Sequence, residues 1–101
     1  MAVTKNRNAT RRERLTTIFG ALSDPTRMEM LEMIIEQGEV GCSVFEEHFP
    51  LSKSTLSYHT KLLNAAGLIQ TERRGRFFFY HPHLEELEEQ FPGLASQLTE
   101  G

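Results

Sequence analysis

Hydroxyl and cationic side chains cluster in two short stretches in the second half of this 101-residue chain. Hydroxyl groups hydrogen-bond to phosphate oxygens or base edges, and lysine and arginine neutralise phosphate charge. Gathered on one surface, these side chains are suited to binding a nucleic acid, although a solvated polar face carries the same residue types. The first stretch offers Ser52, Lys53, Ser54, Thr55, Ser57, Tyr58 and Lys61, and the second offers Arg73, Arg74 and Arg76.

Basic and acidic residues alternate in blocks along the chain, whose formal net charge is −3. Residues 1–14 and residues 51–76 each hold five basic residues and one acidic residue. Residues 25–50 and the residues from 81 onward are acidic. The position of the charges matters more than their total, because one cationic face can meet phosphates while the remaining surface stays anionic.

Apolar periodicity and capping residues predict two helices in the first half of the chain. The first runs from about residue 10 to near Ser23. The second begins at Asp24 and Pro25, an N-cap followed by proline at the first helical position, and closes at Gly38. Apolar spacing places Leu15, Ile18, Phe19 and Leu22 on one face of the first helix, and it predicts for the second a buried stripe of Met28, Leu31 and Ile35 flanked by Met30 and Ile34.

The first polar stretch falls on a predicted helix over 52–66. Ser43 and Glu46 have the spacing of a capping box, which predicts a short helix over 43–48. Ser52 then caps the following helix. Residues 49–51 form a tight turn between these two helices. Two helices joined in this way are typical of a helix-turn-helix pair, whose second helix enters the major groove of DNA.

The three arginines fall on a predicted β-hairpin. Residues 68–72 and 76–80 have the period of two strands, and residues 73–75, which include a glycine, form the turn between them. Three arginines at one turn repel each other, and contact with the minor groove or its flanking phosphates would relieve that repulsion. An acidic helix over 84–91 follows, and after a Pro-Gly break a second helical piece continues it.

Four runs of sequence together resemble the ArsR-type winged-helix repressors over about residues 10–90. The resemblance implies a mainly α fold with a small β-hairpin, a winged helix-turn-helix. It also implies a homodimer that binds an imperfect inverted repeat in double-stranded DNA and represses transcription until an effector binds. His59 stands where the family expects a histidine on the DNA-reading helix, which orients or packs that helix. The runs are Leu22-Ser23-Asp24-Pro25-Thr26-Arg27, residues 51–59, residues 63–69, and Arg74-Gly75-Arg76 with the aromatic strand to Tyr80.

Dimerisation is predicted at the terminal helices. The apolar stripes of the first and last helices need a partner surface, and two-fold pairing of these helices would bury them. The predicted dimer contacts are Leu15, Ile18, Phe19, Leu22, Leu84, Leu87 and Phe91.

Metal binding is one alternative for regulation, because many members of this family sense metals. The family's thiolate pair is missing, since residues 39–43 offer only Cys42. His81 and His83, with carboxylates nearby, are candidate ligands for nickel or zinc, or they are partly exposed residues at a strand-to-helix junction. No other cofactor is evident. Where the family's tail site has its Asp and His ligands, this chain holds Leu84, Glu86, Gln97 and Glu100.

Length and composition bound the other possibilities. We expect one domain over 10–92, preceded by a flexible basic arm over 1–9 and followed by a C-terminal tail over 93–101. A single cysteine excludes an internal disulfide, and no apolar run is long enough to cross a membrane, which favours a cytoplasmic protein with no membrane partner. No phosphate loop or catalytic triad pattern occurs, so we expect no enzymatic activity.

Two further hypotheses about partners stay open. The chain would act as a protein-interaction module if the winged fold served dimerisation and the acidic segments docked a partner protein. A regulator that binds DNA would respond to an effector or to an accessory sensing protein.

Overall fold

The computed structural model describes residues 7–100, with side chains from Thr10 to Glu100. The element order confirms the predicted mainly helical fold with a small hairpin. The elements are α1 (Arg7–Ala21), α2 (Pro25–Gln37), β1 (Val40–Gly41), α3 (Cys42–His48), α4 (Lys53–Ala65), β2 (Ile69–Arg74), β3 (Phe77–Pro82), α5 (Leu84–Gln90) and α6 (Leu94–Thr99).

Helix α1 differs from its prediction at both ends. It begins at Arg7, about three residues before the predicted start, so the last part of the predicted arm over 1–9 is helical. Residues 1–6 of that arm lie outside the described residues. The helix ends at Ala21, and the Ser23 hydroxyl donates a hydrogen bond of 2.7 Å to the carbonyl of Gly20.

Helix α2 has the caps that the sequence predicts. The Asp24 carboxylate accepts a hydrogen bond of 3.0 Å from the backbone N–H of Arg27, and proline occupies the first turn. This hydrogen bond from the backbone N–H of Arg27 lowers the pKa of Asp24. Gly38 ends the helix with a φ of 80°, which a residue without Cβ adopts readily.

The buried stripe of α2 is rotated relative to the prediction. Met30, Leu31 and Ile34 are fully buried, whereas Met28 and Ile35 are half-buried. The predicted stripe was centred on the wrong positions because apolar residues crowd this helix, and their spacing does not say which of them faces the sheet and α4.

Strand β1 was not predicted, and its presence changes the start of α3. Val40 pairs with Tyr80 and Gly41 pairs with Phe79, so β1 is an edge strand of the sheet. Helix α3 then begins directly at Cys42 with Gly41 as its N-cap and no side-chain capping bond. The predicted capping box of Ser43 and Glu46 is therefore wrong.

The sheet has three antiparallel strands in the order β1-β3-β2. Arg74 pairs with Phe77, which leaves Gly75 and Arg76 as a two-residue turn. Gly75 has a φ of 64°, as the first central residue of a type II′ turn requires. The turn predicted over 73–75 is thus displaced, and both strands are longer than expected.

The core lies between α2, α3, α4 and the sheet. Phe45 of α3 is at its centre, where its ring stacks on Tyr80 at a centroid distance of 5.7 Å and meets Phe49 at 5.9 Å. The buried apolar residues are Ile18, Ala21, Met30, Leu31, Ile34, Val40, Phe45, Phe49, Leu56, Leu63, Leu68, Ile69, Tyr80 and Leu87.

Two of the predicted dimer contacts belong to this core instead. Ile18 is 2% exposed and Leu87 is 3% exposed within a single chain, so neither has surface left for a partner. Helices α1 and α5 therefore pack against the core of their own chain. Phe91 also contacts Phe19 of the same chain, with ring centroids 5.6 Å apart. The apolar surface that remains at the terminal helices is mainly Phe19, 55% exposed, and Leu84, 43% exposed.

Within residues 7–100, none of the helices combines the length and apolar character required to cross a bilayer.

Candidate nucleic-acid interface

Helix α4 presents a polar face to solvent because its apolar positions are taken up by the core. The Ser52 hydroxyl accepts a hydrogen bond of 3.1 Å from the backbone N–H of Thr55 and so caps the helix as predicted. Leu56, Thr60 and Leu63 are buried. Ser54, Tyr58 and Lys61 are exposed on the opposite side of the helix, and Lys53 and Ser57 are exposed at the border of the buried face.

The turn between α3 and α4 fixes the relative position of the two helices. Phe49 is buried in the core, and its N–H donates to the carbonyl of Phe45 at 3.0 Å. The N–H of Leu51 donates to the carbonyl of Phe49 at 2.8 Å. With both ends of the turn held, α3 and α4 form the predicted helix-turn-helix pair.

Arg27 connects α4 to the first two helices. Its Nε donates to the carbonyl of Ala21 at 2.7 Å, and its Nη1 lies 3.0 Å from Nδ1 of His59. Arginine can only donate, so His59 accepts through Nδ1. His59, which was predicted on the DNA-reading helix, is half-buried and forms this bond with Arg27. Thr55 is also half-buried, and its hydroxyl accepts a hydrogen bond from the Ser52 hydroxyl. Both side chains position the helix.

Two of the three predicted arginines of the hairpin, Arg73 on β2 and Arg76 in the turn, have no ion-pair partner in the described part of the chain. Arg76 is exposed in the turn itself. Arg73 donates to the carbonyl of Gly75 at 2.9 Å, and its guanidinium lies 6.0 Å from the centroid of the Phe78 ring. Their positive charges are therefore available to an external anion.

Arg74 is held differently, and the expectation that all three arginines present free charge is wrong for this one. It donates to both Glu72 oxygens, at 2.9 and 3.0 Å, and to both Glu39 oxygens, at 2.7 and 3.2 Å. Its guanidinium also lies 4.2 Å from the centroid of the Phe79 ring. Arg74 thus fastens the hairpin to the segment before β1, and two carboxylates offset its charge.

This ion-pair network shifts the pKa values of its members. Hydrogen bonds from Arg74, followed by one from His81, lower the pKa of Glu72 to about 2. Bonding to Arg74 also lowers the pKa of Glu39, and the two carboxylates raise the pKa of Arg74. Each carboxylate stabilises the fold above its ordinary pKa of 4.5, and this contribution is lost as the pH falls toward the lowered value.

We therefore expect that the melting temperature of Arg74→Gln depends less steeply on pH in the acid range than that of the parent protein. Between about pH 5 and pH 2, the parent protein should lose more of its thermal stability than the variant does, because the variant has less of the ion-pair network to lose. Thermal unfolding followed by circular dichroism over this range measures the difference. Arg73→Gln is the matched control, and its melting temperature should change with pH as steeply as that of the parent. If the melting temperatures of Arg74→Gln and the parent fell in parallel, the ion-pair network would not stabilise the fold as described.

The predicted nickel or zinc ligands His81 and His83 are not brought into one ligand set. Nε2 of His81 lies 2.9 Å from Oε1 of Glu72, whereas Nδ1 of His83 lies 3.4 Å from Oε1 of Glu86. Within residues 7–100, Glu39, Glu72 and His81 do place three donor atoms within 4.8 Å of one another. The guanidinium of Arg74 already bonds both carboxylates, so these residues do not fit a metal ion.

Sequence reasoning missed Glu39 and the role of β1 in placing it. The available signal was weak: a glutamate just after a helix-ending glycine, and a Val-Gly pair too short to read as a strand. Neither pattern points to a partner 35 residues away.

Helices α3 and α4, with the hairpin of β2 and β3 as a wing, define the winged helix-turn-helix class. A family model described as a helix-turn-helix domain matches residues 22–72. The arsenical resistance operon repressor of Staphylococcus xylosus is 38% identical over 74 residues, which are 73% of this chain and 70% of that protein.

Two solved structures share the fold. The crystal structure of an ArsR family transcriptional regulator superposes with a TM-score of 0.70 at 27% identity, covering 96% of this chain and 92% of the other. The homodimeric winged helix-turn-helix DNA-binding domain of a Mycobacterium bovis protein gives a TM-score of 0.73 at 23% identity, covering 90% and 83%. The chain belongs to the ArsR family of transcriptional regulators.

Proposed function

We propose that this chain is a sequence-specific transcriptional repressor that acts as a homodimer on an inverted-repeat operator. Helix α4 would enter the major groove, and the wing would lie along the backbone or the minor groove. The observation that carries the proposal is the exposed face of α4, where cations and hydroxyls stand on a rigid helix whose other face is buried. The repressor role follows the arsenical resistance operon repressor to which the chain is similar.

The side chains divide into reading and positioning groups under this proposal. Ser54, Ser57 and Tyr58 would meet base edges, since they are exposed and Tyr58 is 58% accessible. Ser52, Thr55 and His59 would position α4 through their internal hydrogen bonds. The phosphate contacts would come from Lys53, Lys61, Arg73 and Arg76, with Arg74 holding the wing to Glu39 before β1.

A second copy of the chain would supply the other half of the interface. Phe19 on α1 and Leu84 on α5 leave exposed apolar surface at the terminal helices, and the Mycobacterium bovis domain of the same fold is homodimeric. Two copies related by a two-fold axis present two reading helices, which matches an inverted repeat.

The test is selection of bound fragments from genomic DNA, followed by affinity measurements over a range of salt concentrations. We expect a preferred fragment containing an inverted repeat and a linear fall of log affinity with log salt, with a slope of about −0.9 for each phosphate neutralised. A chain that dimerises but shows no preference among fragments would contradict the proposal and favour the protein-interaction module.

A further inference from the structure

An open cleft lies between α4 and the wing. Two adjoining cavities of about 300 and 270 Å³ share Ser57, Thr60, Phe78 and Tyr80 as lining residues. The cleft exists because alternate residues of β3 face α4 but only one reaches the core. Tyr80 packs on Phe45, whereas Phe78, two residues nearer the turn, remains 42% exposed.

The lining of the larger cavity combines an apolar interior with cationic groups. Phe78, which is 42% exposed, offers accessible apolar surface, and the buried side chains of Phe45 and Leu56 form the floor of the cavity. Lys53 and Arg76 also line this cavity, and neither forms an ion pair within residues 10–100. Glu46 is the single carboxylate of the lining, so the charge balance favours an anion.

Hydroxyl groups add directional contacts to this lining. Burial raises the pKa of the Tyr80 phenol above its ordinary value of 10.0, and this phenol hydrogen-bonds with the Thr60 side chain, which also lines both cavities. Ser57 offers an exposed hydroxyl at the edge that the two cavities share. A volume of about 300 Å³ lies at the lower end of the range for small-molecule sites.

We propose that this cleft binds a small aromatic anion, a flat ring bearing a carboxylate or sulfonate, and that its occupation competes with DNA. The ring would lie against Phe78, above the floor formed by Phe45 and Leu56, and the anionic group would meet Lys53 and Arg76. Because these two cations are also phosphate contacts of the proposed function, the ligand withdraws them from DNA. The competition rests on that proposed function, whereas the binding site does not.

The binding test uses anilinonaphthalene sulfonate, a fluorescent aromatic anion, titrated into the full chain. We expect a saturable signal with one site per chain. Arg76→Gln should weaken the probe's affinity about tenfold, as expected for the loss of one charge-assisted hydrogen bond. The matched control is Arg73→Gln, which removes the same charge from the same hairpin but lines neither cavity, and it should leave the affinity unchanged.

A second variant separates the cleft from the DNA contacts. Cys42 is half-buried in the lining and is not among the proposed DNA contacts, so Cys42→Phe fills the cavity and should abolish probe binding while DNA binding persists. Circular dichroism establishes which variants are folded. Unchanged probe affinity in folded Arg76→Gln or folded Cys42→Phe would overturn the site, since the probe would then bind elsewhere, such as around Phe19.

Competition is tested by adding the probe to a complex with the selected DNA fragment. Release of DNA from the parent protein, and its retention by Cys42→Phe, is the expected result. DNA retained by the parent at saturating probe would overturn the competition. If the chain bound no DNA fragment yet bound the probe as described, the proposed function would fail and the cleft site would stand.

Discussion

Replacing Phe45 with alanine is expected to lower the free energy of unfolding by about 3–5 kcal/mol. The side chain is 1% exposed, and its ring contacts both Phe49 and Tyr80. It thereby joins α3 to the turn that follows it and to the central strand, and its removal leaves a cavity that none of these elements can fill alone. Since small domains have a total stability of about 5–15 kcal/mol, the loss is a large part of the whole.

Urea unfolding at a fixed protein concentration measures the effect, because dimerisation would make apparent stability depend on concentration. Phe77→Ala removes the same atoms from a ring that is 52% exposed on the hairpin and serves as the control. We expect a change within about 0.5 kcal/mol there. Equal losses in the two variants would show that Phe45 is not the centre of the core.

The second large effect is expected on DNA affinity when Arg73 and Arg76 are both changed to glutamine. Each arginine should contribute about 1.5 kcal/mol through a charge-assisted bond to phosphate, so the double variant should bind every DNA fragment more weakly by about a hundredfold or more. The magnitude of the salt slope should fall by about 1 for each arginine replaced, because one fewer phosphate is then neutralised. Fluorescence anisotropy over a salt series measures both quantities.

Arg74→Gln is the control for this experiment, because it removes the same charge from the same hairpin. Arg74 already bonds four carboxylate oxygens from Glu39 and Glu72, so we expect a smaller loss of affinity and a nearly unchanged salt slope. If Arg74→Gln matched either single change at Arg73 or Arg76, the division of the hairpin into anchored and free arginines would be wrong.

Local signals in the sequence predicted most of the fold. The cap at Asp24, the cap at Ser52 and the glycine closing α2 each depend on contacts within a few residues, and all three are present in the structure. The hairpin was recognised from strand periodicity, but its turn was displaced. Two-residue and three-residue turns differ only in the cross-strand pairing, which the residues 73–75 do not specify.

The features that sequence reasoning missed depend on contacts between distant segments. Strand β1 consists of two residues, and it is defined by pairing with β3 rather than by its own pattern. Gly41 illustrates the constraint, because a Cβ there would lie 3.0 Å from Cε1 of the Phe79 ring. The burial of Ile18 and Leu87 within one chain likewise follows from tertiary packing, which amphipathic spacing alone does not distinguish from dimer packing.

The sequence predicted which residues belong to the candidate site. Which of its arginines are free, and which one is paired with carboxylates, follows only from the geometry of the structure. Nothing in the run of three arginines says that the middle one turns back to Glu39. Strand alternation gives the reason: Arg73 pairs with Phe78 on the face toward α4, and Arg74 points to the opposite face with Glu72 and Phe79.

The hairpin is held to the rest of the domain along its strands, up to the residue before the turn. Pairing with β1 and the bonds between Arg74 and Glu39 hold the strands, whereas Gly75 and Arg76 form the turn beyond them. We therefore expect that a loop of another length or composition can replace the turn between Arg74 and Phe77 while the helices keep their fold. Under the proposed function, the contribution of the wing to operator preference would then be open to redesign separately from the stability of the scaffold.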